Sequence, residues 1–159
     1  MLAPIQKLSA IHYNPLLRKS EVFLNFAEAS NEAWGPKVKG PDCQFSAYDV
    51  LKMIRHLSGG LPENDAYLEE MSASKEQFRK LVQNERRLEL AFENQRWFDL
   101  LRWGKAIEVI NKHIQETEWD FYAGYTQQIN KLKDYQLILP IPQSVIDNNP
   151  GVITQNPNY

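Results

Sequence analysis

The chain has 159 residues, 43% hydrophobic and 24% charged, which is the length and composition of one globular domain with a core of its own. Its net charge is -2 and its lysines and arginines are dispersed, so no basic stripe follows a phosphate backbone and nucleic acid is not the expected partner. The single Cys43 excludes an internal disulfide and a thiolate metal cluster, and no stretch reaches the roughly 20 apolar residues of a membrane span.

The opening MLAPIQKLSAIHYNP lacks the basic-then-apolar shape of a secretory signal. The expectation is either a cytosolic chain or one whose true N-terminus lies further upstream. Asn14 followed by Pro15 is a helix-start signal. From there LLRKSEVFLNFAEASNEAW places Leu16, Phe23, Leu24, Ala27 and Trp34 on one side at helical spacing, and Gly35 with Pro36 ends the run. Ala27, Ala29 and Ala33 leave little bulk on its second half, so a neighbouring helix can approach closely.

After the loop KVKGPDCQ, Ser46 is suited to cap a helix over AYDVLKMIRHL, whose apolar stripe is Val50, Leu51, Ile54 and Leu57. Ser58-Gly59-Gly60-Leu61-Pro62 stops it. Residues 65–71 form a short polar stretch with room for one helical turn. Ser74 and Gln77 then read as a capping box that opens a long helix. Beyond Gly104, KAIEVINKHI is another helical run, and EWDFYAGYTQQINKLKDY is aromatic and aperiodic, a surface loop. The tail has four prolines in its last 24 residues and is expected to be extended, with one helical turn at residues 143–147. Its apolar start predicts docking on the helices. The fold class is all-α, with tetratricopeptide-like antiparallel helix pairs, long loops and an extended Pro-rich C-terminal tail, although the consensus spacing of that repeat is missing.

The long helix carries ERRLELAFENQRWFDLLRW, with four acids and four arginines among four aromatics in 19 residues. Advancing 100° per residue from Phe78 gathers Phe78, Leu81, Val82, Leu88, Phe92, Leu100 and Trp103 on one face. Glu85, Glu89 and Arg96 fall in the middle of that face. Buried charges must be paired or must serve chemistry, since an isolated one costs several kcal/mol. Local pairs exist at i,i+3: Arg86 with Glu89, Glu93 with Arg96, Arg96 with Asp99 and Asp99 with Arg102. The expectation is a structural ion network of Glu85, Arg86, Glu89, Glu93, Arg96, Asp99 and Arg102, in which Arg96→Ala costs roughly 3 to 5 kcal/mol of folding free energy. A glycosidase reading needs two carboxyl groups about 5 to 9.5 Å apart on opposite sides of a sugar. Acids on one helix lack that opposition.

His12, His56 and His113 stand alone and support no metal site or proton relay. Gly59 and Gly60 terminate a helix and carry no phosphate-loop pattern. Trp119, Phe121, Tyr122 and Tyr125 crowd four aromatics into seven residues of the expected loop. Aromatic faces stack on the C–H faces of sugars, which makes Trp119, Tyr122 and Tyr125 the candidate glycan-binding residues, against the plainer reading that they cover the core or anchor the tail.

Three stretches in order, LLRKSEVFLNFAEASNEAWGP, ERRLELAFENQRWFDLLRWGKA and LPIPQSVIDNNPGVITQNPNY, resemble the C-terminal part of SusD/RagB family proteins. YDVLKMIRHLSGGLP fits the same pattern more loosely. The resemblance implies a mostly helical scaffold, a single domain over residues 1–159 that forms the C-terminal part of a longer protein, and surface exposure at the outer membrane through a lipidated cysteine outside this chain. It implies no catalysis, capture of oligosaccharide or another nutrient for a SusC-like TonB-dependent transporter, and no cofactor beyond an occasional bound cation. Cys43, mid-chain, does not fit the lipid anchor. Most glycan-stacking residues of the family lie upstream of the matching motifs. Two other readings stand beside it: a helical-repeat module that binds a protein segment in a concave groove, and a helical glycoside hydrolase using the acids of the long helix.

Overall fold

We describe residues 17–117 and 131–159 of the computed structural model, without the side chains of 114–117. The first helix, α1, spans Lys19–Trp34. It begins later than the run from Leu16 suggests. Arg18 is extended at φ -112° and ψ 154°, and its guanidinium donates to the Glu89 carbonyl at 2.5 Å, so the approach to the helix is tied to another segment. Asn14, Pro15 and Leu16 lie outside the described residues. The helix stops at Gly35, whose φ of +88° suits a residue without Cβ and whose N–H donates to Asn31 O at 2.9 Å. Trp34, on the apolar side by sequence spacing, is 43% exposed and lies outside the buried core cluster. Its ring lies against Gly40, where an added Cβ would come within 2.5 Å of it.

Helix α2 spans Ala47–Leu57. Ser46 Oγ accepts the Asp49 N–H at 3.1 Å while Asp49 Oδ2 accepts the Ser46 N–H at 2.9 Å, so each satisfies a donor left free by the helix start. Ser46→Ala is expected to cost about 1 kcal/mol in urea unfolding. A change below about 0.3 kcal/mol would mean that water replaces the cap without loss. Val50, Leu51 and Ile54 are buried as the stripe requires, but Leu57 is 74% exposed because the helix ends directly after it. Helix α3, Ala66–Met71, is capped by Asp65, and α4, Lys75–Glu89, by Ser74. Ser74 Oγ accepts the Gln77 N–H at 3.2 Å.

The long helix is two helices. α4 ends at Glu89, and α5 spans Gln95–Arg102. Between them Phe92 and Asn94 take φ of +65° and +61°, the left-handed region that breaks an α-helix. Leu90 turns into the core, whereas Leu88 is 56% exposed and Phe92 fully so. A projection begun at Phe78 therefore holds for Leu81, Val82 and Glu85, which are buried, and fails at Leu88 near the end of α4 and at Phe92 past it.

The chain divides into two compact units, Met1–Ala91 and Phe92–Tyr159. In the first, α1 packs against both α2 and α4, and α3 against α4. Leu24 and Ala27 from α1, Ala47, Val50, Leu51 and Ile54 from α2, Leu68 from α3, and Phe78, Leu81, Val82 and Leu90 close one core. In the second, α5 packs against α6, Ala106–Thr117. A 3-10 turn, Asp134–Leu137, and α7, Gln143–Asp147, follow. The Asn111 side chain grips the Leu132 backbone, donating to its carbonyl at 3.0 Å and accepting its N–H at 2.7 Å. The tail then folds on itself. Gln155 exchanges two 2.9 Å hydrogen bonds with the Ile141 backbone, Asn156 Nδ2 donates to Leu139 O, and the Tyr159 hydroxyl donates to Ile138 O. Ile138 and Leu139, in the apolar start of the tail, expose their side chains while polar clamps hold their carbonyls. All regular structure among the described residues is helical.

Candidate functional site

In α4 the buried and half-buried charges Glu85, Arg86 and Glu89 are engaged by side chains from other segments. Glu85 is buried and accepts Arg55 Nη1 from α2. Arg55 Nε also donates to Asp65 Oδ2 at 2.7 Å, and the guanidinium lies 5.6 Å from the centre of the Tyr67 ring. One cation thus joins α2, the start of α3 and α4. Arg86 is buried, donates to Asn25 Oδ1 at 2.6 Å and stands 3.9 Å from Glu28 Oε2, both on α1. Glu89 is partly buried and accepts Arg18 Nη1 at 3.4 Å. Glu85 and Glu89 are thus met by guanidinium groups from outside their own helix.

In the second unit Asp99 is buried and accepts Arg102 Nη2 at 2.9 Å, the i,i+3 pair read from the sequence. Arg96 is only partly buried, because the helix break removes it from the α4 face, and its guanidinium lies 5.8 Å from the centre of the Trp103 ring. The Arg102 guanidinium lies 5.3 Å from the same ring. Glu93 is partly buried in the connector between α4 and α5. Arg55 and Asp65 escaped the sequence reading. The available signal was the spacing of Leu51, Ile54 and Arg55 at i, i+3 and i+4, which puts the cation at the edge of the buried stripe.

Two further clusters pin α1 and the loop after it. Arg79 Nε and Nη2 reach the two Glu32 oxygens at 2.5 and 2.6 Å, a two-pronged pair that holds the Glu32 carboxyl below its usual range. Glu69 accepts Lys37 Nζ at 2.6 Å and the Tyr48 hydroxyl at 2.5 Å. The Lys37 bond, with Tyr48 second, lowers the Glu69 pKa, while the bond to Glu69 pushes the Tyr48 phenol up to about 12. Tyr48 therefore contributes stability below its ordinary value of 10.0 and loses it as pH rises through about 12.

Asp65 is held below its ordinary value of 3.8, first by the Arg55 hydrogen bond and, against a cost of burial, by the Leu68 N–H. A depressed folded pKa means that the contribution is complete above the unfolded value and disappears as pH falls through the folded one. Urea unfolding from about pH 6 to about pH 2.5 should show the gap between the wild-type chain and Asp65→Asn shrinking as acid protonates Asp65. A constant gap would exclude Asp65 from the acid limb.

The candidate glycan-stacking residues Trp119, Tyr122 and Tyr125, with Phe121, lie outside the described residues, as does His12. His56 Nδ1 is 2.8 Å from Leu61 O, and His113 lies on α6. Among the described residues no group of three His, Cys, Asp or Glu side chains is placed to hold a metal ion, and no helix is long and apolar enough to cross a membrane.

Fold and charge placement define an all-helical scaffold whose acids and arginines tie helices to one another. The family model described as SusD family, SusD_RagB, matches residues 6–159, and the chain belongs to that family. It is 30% identical over 155 residues to SusD-like protein P2 of Formosa agariphila, covering 95% of this chain and 26% of that protein. SusD-like protein P25 of the same organism is 28% identical over 138 residues, covering 87% of this chain and 23% of its own. The chain spans about a quarter of the length of these curated relatives. No solved structure matches it.

Proposed function

We propose that the chain serves non-enzymatic nutrient capture at the outer-membrane surface, holding a glycan or oligosaccharide for import through a SusC-like TonB-dependent transporter. The observation that carries this reading is the SusD family match over residues 6–159. In this role the charged stretch is scaffold: Glu85, Arg86, Glu89, Glu93, Arg96, Asp99 and Arg102 fix helices, and Trp119, Tyr122 and Tyr125 are the aromatics of this chain suited to stack on a sugar. A hydrolase fits the contacts less well. Glu85 and Glu89 share one helix and are engaged by Arg55 and Arg18, whereas sugar cleavage needs two carboxyl groups facing each other across the substrate.

Affinity electrophoresis of the native protein in gels cast with a panel of soluble polysaccharides tests the reading. At least one glycan should retard it, with no reducing sugar released on long incubation. Release of sugar would overturn the non-enzymatic assignment. Unretarded migration across the panel would remove glycan as the ligand.

A further inference from the structure

Helix α3 is attached to its unit unlike α1, α2 and α4. Residues 57–64 ahead of it are all exposed, and within α3 only Leu68 is fully buried, with Met71 partly so. Its other attachments are polar: Asp65 to Arg55, the Tyr67 ring to the same guanidinium, and Glu69 to Lys37 and Tyr48. Ser72, just past the helix, is satisfied from within α3, donating its N–H to Leu68 O and its hydroxyl to Glu69 O. We propose that residues 62–72 form a latch that comes away from the core together while α1, α2 and α4 stay packed, uncovering the seat of Leu68; once detached, the six-residue α3 is too short to keep its own hydrogen bonds and unravels.

Three features make such an opening separable from global unfolding. The turn before it is tied down independently, by Leu61 N–H to Arg55 O at 3.1 Å and by His56 Nδ1 to Leu61 O, so motion starts beyond Leu61. Opening strands no buried charge. Arg55 loses Asp65 but keeps Glu85 through Nη1, while Asp65, Glu69, Lys37 and Tyr48 pass into water. The apolar surface released is essentially one leucine and part of a methionine, against the many side chains of the α1, α2 and α4 core. Acid favours the open form, since Arg55 faces Asp65, and Lys37, Tyr48 and Lys52 face Glu69, and both carboxyl groups give up these partners on protonation.

Native-state hydrogen exchange of the 159-residue chain, followed with increasing urea below the unfolding transition, tests the latch. The Glu69 and Ser72 amides, bonded to Asp65 O and Leu68 O, should exchange at least tenfold faster than core amides of α1 and α4, with a shallow urea dependence because little surface is exposed. Asp65→Asn should speed exchange at those amides roughly tenfold, the equivalent of ~1.4 kcal/mol. Exchange of α3 amides at the core rate with the same steep urea slope would overturn the proposal, and that measurement needs no variant.

Discussion

Arg55→Ala should lower the unfolding free energy by about 3 to 5 kcal/mol, measured by urea denaturation near neutral pH with helix content as the signal. The arginine is the shared partner of Glu85 and Asp65, and the three side chains are nearly enclosed, each about 10% exposed. Alanine leaves both carboxylates without their cation where water is scarce, and the loss is dominated by that uncompensated charge. Arg55→Met combined with Glu85→Leu should recover a large part of the loss, because it removes the stranded charge together with its partner and fills the space with apolar atoms. If Arg55→Ala cost less than about 1 kcal/mol, the group would behave as an exposed pair and its apparent burial would carry no energetic weight. Arg96 is the position given this role by the sequence. Its side chain is partly exposed and lies over Trp103.

The second large effect is expected at Phe78, which is completely buried and is the largest of the fully enclosed side chains. Phe78→Ala should cost about 3 to 5 kcal/mol, the sum of lost transfer free energy and the void left between helices that cannot close up. The core cluster it belongs to is drawn from α1, α2, α3 and α4, so the void would lie in the core they share. Phe78→Leu retains most of the volume and should cost less than about half as much. Equal losses for the two would show that ring shape, not volume, sets the energy. Phe98→Ala, at an exposed position on α5, should change stability by no more than about 0.5 kcal/mol.

Helix content, the core stripe of α2, the caps at Ser46 and Ser74, the turn at residues 143–147 and the Asp99–Arg102 pair were legible because each depends on neighbours within one turn of chain. The SusD family motifs were legible for a similar reason, as runs of adjacent residues. The partners of the α4 charges were not. Arg55 is 30 residues from Glu85, Asn25 is 61 from Arg86, and Arg18 is 71 from Glu89. No local spacing rule reaches those pairs.

Taken alone, the sequence determined that the chain is helical, that its acids and arginines could not all be solvated, and which family it resembles. Periodicity, capping chemistry and the cost of an unpaired charge act over a few residues and leave their pattern in the order of side chains. Only the tertiary structure decided where the charged stretch breaks, which acids are buried and what holds them. Left-handed residues at Phe92 and Asn94 interrupt the periodicity without a glycine to announce them, and the Arg55 and Arg18 guanidinium groups find Glu85 and Glu89 through packing that brings distant segments within hydrogen-bond reach.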